Sequence, residues 1–172
     1  PNCNVGATMV IGRKPRYQRN SDFISSGTDM EKLTEDQTTI LLMEHLKAHG
    51  WEIVSYCLGQ QRGYDIVAVN ANGRKLFVEA KGAKASDDSP TKKRKFFNSG
   101  QIKDHFGKAI VKSLETQLDH PHDMVAIAHP HDADIIKHIG RTASHLGSMG
   151  IACFWVKASG EVVEEHITNY NL

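Results

Sequence analysis

Two stretches rich in β-branched and aromatic residues, 64–70 and 75–81, are joined by a connection no longer than a tight turn, built around Ala71-Asn72-Gly73. Such a connection suits a three-residue hairpin loop with glycine in the left-handed position. A loop of that length fixes the register. Asn70 pairs with Arg74, and Asp65 falls opposite Glu79. Side chains alternate along a strand, so Glu79 and Lys81 share a face. The hairpin therefore gathers Asp65, Glu79 and Lys81 at one spot.

The flanking pattern places this hairpin in an α/β domain. Thr34-Glu35-Asp36-Gln37 has the Ser/Thr-x-x-Glu/Gln form of a capping box. Ile40, Leu41, Leu42, Met43 and Leu46 follow before Gly50, which predicts a first helix. Residues 51–58 read as a strand preceding the hairpin. After a loop over 82–98, an amphipathic helix is expected over 99–118, with Ile102, Phe106, Ala109, Ile110 and Leu114 as its apolar stripe. Gln101, His105, Lys108 and Lys112 recur beside that stripe at spacings of four, three and four, forming one polar and basic line. A strand at 124–128, a helix over about 132–146 with Ile135, Ile136, Ile139, Ala143 and Leu146 inward, and a strand at 151–156 complete the pattern. A β-α-β segment of this kind favours parallel neighbours joined by a right-handed crossover. The expected fold is a three-layer α/β/α sandwich with a mixed central sheet. One domain over 34–172 is expected, preceded over 1–33 by a basic arm or loosely structured lead-in that carries Arg13, Lys14, Arg16 and Arg19.

Composition narrows the function classes. With 172 residues, 40% of them hydrophobic, the chain has material for one ordinary core. No run approaches the roughly 18 apolar residues of a membrane span, and the N-terminus lacks the order of a secretory signal. Cys3, Cys57 and Cys153 are odd in number and far apart, fitting neither a disulfide framework nor a zinc ribbon. A soluble, cytoplasmic protein with no membrane partner is expected. The net charge of +1 is unevenly spread. Nine Lys or Arg residues stand against three acids between Lys81 and Lys112, a concentration that suits a polyanionic partner.

The convergence of Asp65, Glu79 and Lys81 carries the chemistry. Two carboxylates about 4 Å apart repel by roughly 4 kcal/mol at an effective dielectric near 20, a cost that a cation between them removes. Oxygen donors with few or no nitrogen or sulfur ligands suit a hard divalent ion, magnesium or manganese. An ion so held polarises a phosphoryl oxygen and lowers the pKa of a bound water, while Lys81 orients that water or offsets developing charge. Phosphodiester hydrolysis needs those parts. The competing interpretation makes Asp65 a turn residue and Glu79 and Lys81 an exposed pair at a strand end.

The run Gly63-Tyr64-Asp65-Ile66-Val67-Ala68-Val69, the short turn, and Leu76-Phe77-Val78-Glu79-Ala80-Lys81-Gly82 resemble the PD-(D/E)xK, or restriction-endonuclease-like, nuclease superfamily. Mrr-like enzymes, RecB-like nucleases and archaeal Holliday-junction resolvases belong to it. The resemblance spans roughly residues 34–112, in the superfamily's α-β-β-β-α-β order. It implies Asp65, Glu79 and the backbone carbonyl of Ala80 as metal ligands and Lys81 as the catalytic lysine. Glu44 matches the glutamate that many members carry on the first helix, with an ordinary solvent-facing residue as the equal alternative. Tyr64 replaces the proline of the superfamily's name. RecB-like members carry Gln-x-x-x-Tyr on the following helix, where this chain has Gln101-Ile102-Lys103-Asp104-His105. Gln101 and His105 are therefore either substrate-facing groups or the polar flank of an amphipathic helix.

Lys84, the run Lys92-Lys93-Arg94-Lys95, Lys108 and Lys112 are expected to contact backbone phosphates without reading sequence. His120, His122, His129 and His131 raise a structural zinc site, but their i, i+2 pairing around prolines lacks the usual ligand spacing. The sequence thus predicts a magnesium- or manganese-dependent endonuclease acting on DNA. The alternative is a nucleic-acid-binding subunit of the same fold that cleaves only with a partner or not at all. Two-fold closure is the commonest oligomeric arrangement, so a homodimer is the default assembly, with a subunit of a larger nucleic-acid-processing complex as the other.

Overall fold

A computed structural model describes residues 32–86 and 96–166. The expected capping box forms. Thr34 Oγ1 accepts the Gln37 amide at 3.2 Å, and Gln37 Oε1 accepts the Thr34 amide at 2.8 Å. These bonds satisfy donors that an α-helix leaves unpaired at its start, and α1 (Glu35–Ala48) follows. It buries Leu42, Met43 and Leu46 together with Thr38 and Thr39. Those two threonines tolerate burial because their hydroxyls donate to the Thr34 and Glu35 carbonyls, both at 2.9 Å. Ile40 points to solvent instead.

The three anticipated strands are β1 (Glu52–Tyr56), β2 (Ile66–Val69) and β3 (Lys75–Ala80). Gly73 adopts φ +80° in the turn, and the Asn70 amide donates to the Arg74 carbonyl at 3.0 Å. The register runs from Ile66 opposite Val78 to Val69 opposite Lys75, as the loop length requires. Beyond Asn98, whose side chain caps it, lies α2 (Ser99–Asp119). Its buried face is Ile102, Phe106, Ala109, Ser113 and Thr116. This corrects the expected stripe in its second half, where Leu114 is exposed. Spacings of four, three, four and three keep the buried residues on one line. Ser113 and Thr116 are small enough to let α2 settle beside Phe77 and Val125.

The sheet continues through β4 (Met124–Pro130) and β5 (Ile151–Val156), each parallel to its predecessor. The connection between them is a broken helix: α3 (Ala133–Ile135), a π turn over Ile136–Gly140, α4 (Arg141–Ala143) and a 3₁₀ turn over Leu146–Met149. The expected single helix over 132–146 is thus corrected. The wide turn moves Ile136 outward while Ile135, Ile139, Ala143 and Leu146 stay buried. A sixth strand, β6 (Val162–Glu165), pairs antiparallel with β5 and was not anticipated.

The resulting six-stranded mixed sheet has the order β1-β2-β3-β4-β5-β6. One face, with Ile66, Ala68, Leu76, Val78, Ala126 and Phe154, packs on α1. The other, with Ile127, Ile151, Cys153 and Trp155, packs on α2 and the broken helix. Helices therefore cover both faces in three layers, in agreement with the expected restriction-endonuclease-like architecture. The packed body already includes Leu33, which is buried and whose carbonyl accepts the Ala83 amide at 2.8 Å. Lys32 belongs to it too, its ammonium pairing with Asp132 at 2.8 Å, and residues 1–31 of the expected arm lie outside the described residues. Among those residues, no helix is long and apolar enough to cross a membrane.

Candidate active site

The hairpin delivers its charged residues to the α2 side of the sheet. Asp65 stands immediately before β2, where its carbonyl accepts the Cys57 amide at 3.2 Å. Its Oδ2 accepts the Ala80 amide at 2.7 Å, which ties it across the hairpin to the strand carrying Glu79. Lys81 leaves the end of β3 and is anchored to the neighbouring strand by its amide, which donates to the Ala128 carbonyl at 2.9 Å. Its ammonium meets three acceptors: Glu79 Oε1 at 2.7 Å, the Ala80 carbonyl at 2.7 Å, and Glu35 Oε2 at 3.3 Å. From α2, Lys112 forms an ion pair with Glu79 Oε2 and donates to the Gly63 carbonyl at 3.0 Å. Oε2 is buried and the contact lacks hydrogen-bond geometry, so the Glu79–Lys112 attraction is one of charge, while the Gly63 carbonyl supplies the hydrogen bond.

This clustering perturbs the titration of its members. Burial and the nearby Glu79 push the Asp65 carboxyl up to about 7, against the opposing pull of the Ala80 amide and Lys81. Burial disfavours the Lys81 ammonium, but Glu35, Glu79 and Asp65 together outweigh it and raise its pKa. His105 is lowered by burial and then by Lys81. His129, fully buried between Phe106 and Trp155, is pushed down to about 3 by the loss of solvation, then by Lys81 and His105. Among the described residues its Nε2 has no hydrogen-bond partner.

Glu35 is a member of this cluster that sequence reasoning missed. It lies at the first position of α1, and Gly82 brings that turn against the end of β3. A Cβ on Gly82 would fall 2.6 Å from the Glu35 nitrogen and 2.8 Å from the Thr34 carbonyl carbon. Glycine directly after Lys81, with an acidic first turn upstream, was the available signal. Glu44, the helix residue singled out from the sequence, is exposed, nine positions further on, or about 13 Å along the axis.

The other sequence-predicted residues divide by location. Gln101 is exposed, and its Oε1 accepts the Asn98 amide at 3.1 Å, so the side chain caps its own helix. His105 is half-buried edge-on to Phe97, with ring centroids 4.6 Å apart, and feels the Lys81 charge. Lys108 projects into solvent and pairs with Asp104 at 2.8 Å. Lys84 is half-buried just beyond β3. Lys92, Lys93, Arg94 and Lys95 lie outside the described residues. The four histidines considered for zinc do not converge. His120 stacks on Phe77 before β4 begins, with centroids 4.2 Å apart, whereas His129 and His131 stand by Trp155 at its far end.

Asp65, Glu79 and the Ala80 carbonyl offer only oxygen, from two adjacent strands, and the Glu79 carboxylate is nearly buried. Lysine ammonium groups already sit on both Glu79 oxygens and on the Ala80 carbonyl. These atoms thus attract positive charge in the folded protein, and a hard divalent ion fits the donor set.

No protein-family model matches the sequence, and no curated protein does so. Among solved structures, the chain is similar to an XisH family protein from Nostoc punctiforme. The two share 14% identity over 74% of this chain and 97% of that one, with a TM-score of 0.47.

Proposed function

We propose that this protein is a divalent-cation-dependent nuclease that hydrolyses phosphodiester bonds in DNA. One observation carries the reading: Asp65 and Glu79 face each other across a hairpin beside the Ala80 carbonyl, with the Lys81 ammonium within 2.7 Å of the last two. Asp65, Glu79 and that carbonyl are the groups that would hold magnesium or manganese, and the bound ion would polarise the scissile phosphoryl group and activate water. Lys81 sits where a positive group offsets negative charge building up on the phosphate. Its three carboxylate neighbours keep it protonated for that task. Asp65, with a carboxyl near 7, is readily ionised by an incoming cation. The lysines of α2, with Lys84 just beyond β3, supply positive charge for a polyanion.

A second reading, a DNA-binding subunit that cuts only with a partner, is favoured by the ammonium groups on both Glu79 oxygens, which close the site at rest. Cleavage of supercoiled plasmid, linear duplex, single-stranded and branched DNA with magnesium, manganese or EDTA distinguishes the two. Metal-dependent cutting of any substrate by the protein alone supports the nuclease. Binding without cutting on all four supports the subunit.

A further inference from the structure

We propose that Lys112 is an exchangeable counter-charge: it holds Glu79 in the cation-free protein and is released to a substrate phosphate when a divalent cation binds. This rests on the cation site described above. Both Glu79 oxygens carry an ammonium, so a divalent ion arriving at that carboxylate repels two positive groups. The two are not equally held. Lys81 has three acceptors and a side chain 13% exposed. Lys112 has two, a side chain 36% exposed, and no hydrogen bond of good geometry to Oε2. The weaker attachment yields. Lys112 is carried on α2 and its ammonium also rests 5.9 Å from the centre of the Tyr64 ring, but its stem is the more exposed of the two, so rotation about it would carry the charge outward while the helix stays in place. Cation loading then converts an internal ion pair into a free ammonium at the mouth of the site. Metal binding and DNA binding are coupled through one side chain.

The test uses the full chain and the substitution Lys112→Gln, with a melting temperature confirming its fold. Calorimetric titration with Mn²⁺ alone should show tighter binding to the variant, on the order of tenfold, since the ion no longer displaces a competitor. Duplex binding should show the opposite. With Ca²⁺ as the cation, the slope of log affinity against log salt should be shallower in Lys112→Gln by about one counterion. In EDTA the two slopes should coincide, because Lys112 is then engaged by Glu79. Equal or weaker Mn²⁺ binding by the variant, or an equal loss of slope in EDTA, overturns the exchange while leaving the nuclease reading intact. Absence of Mn²⁺ binding to the wild type, or a binding heat unchanged in Asp65→Asn, removes the cation site and the exchange with it.

Discussion

At the scale of single residues, the site is a group of charges whose pairing decides their protonation. Asp65 is held up to about 7 by burial and by Glu79, so below that pH the folded, cation-free protein favours its protonated form. Its ordinary value is 3.8. Between about 4 and about 7 the native state therefore binds more protons than the unfolded chain, and this group costs stability as pH rises. Asp65→Asn removes that cost and retains an oxygen for the Ala80 amide. In EDTA, the variant should melt at the same temperature as wild type near pH 4 and progressively higher towards pH 8, as followed by circular dichroism. A difference that shrinks with pH would contradict the raised carboxyl. Asp65, Glu79 and Lys81 were legible as neighbours because one short turn and strand alternation leave no other register. Glu35 was not, because its approach depends on how α1 lands on Gly82, a contact between segments nearly fifty positions apart. The destination of Lys112 was hidden in the same way: its place on a basic helical line was readable, its partner Glu79 was not.

At the scale of elements, the first turn of α1 and the end of β3 act as one unit. Gly82 makes this contact, and the Leu33 carbonyl pairs with the Ala83 amide beside it. Gly82→Ala forces a methyl into backbone at 2.6 Å, which must displace α1 and separate Glu35 from Lys81. A destabilisation of about 1–3 kcal/mol is expected from denaturant unfolding, the range for overpacking a close contact. A cost within error would mean that the contact is loose. Elements with strong local signals were read well: a capping box, a glycine turn, a run of β-branched residues. Those set by tertiary packing were not. The broken helix depends on a π turn that no spacing of apolar residues announces, and β6 is four residues long with an alternation too short to register. It is β5 that gives β6 its conformation, with the His45 Nε2–Glu164 Oε1 contact at 2.7 Å tying α1 to the same edge.

Across the whole molecule, the sheet order is that of the chain itself, and its change from antiparallel to parallel falls at β3. That strand carries Glu79 and leads into Lys81, so the hairpin supplies one side of the site and the first crossover helix, α2, supplies Lys112 to the other. Three carboxylates and two ammonium groups meet there, in a chain whose excess positive charge is concentrated in the following thirty residues. The central claim is that this cluster cuts DNA. It is tested most directly by the nicking rate of supercoiled plasmid in magnesium for wild type, Asp65→Ala and Lys81→Ala, with melting temperatures showing that all three fold. The account predicts nicking that EDTA abolishes and that each substitution lowers by at least about a hundredfold, the scale of losing one charge-stabilising group. Nicking by folded Asp65→Ala and Lys81→Ala at the wild-type rate would contradict it.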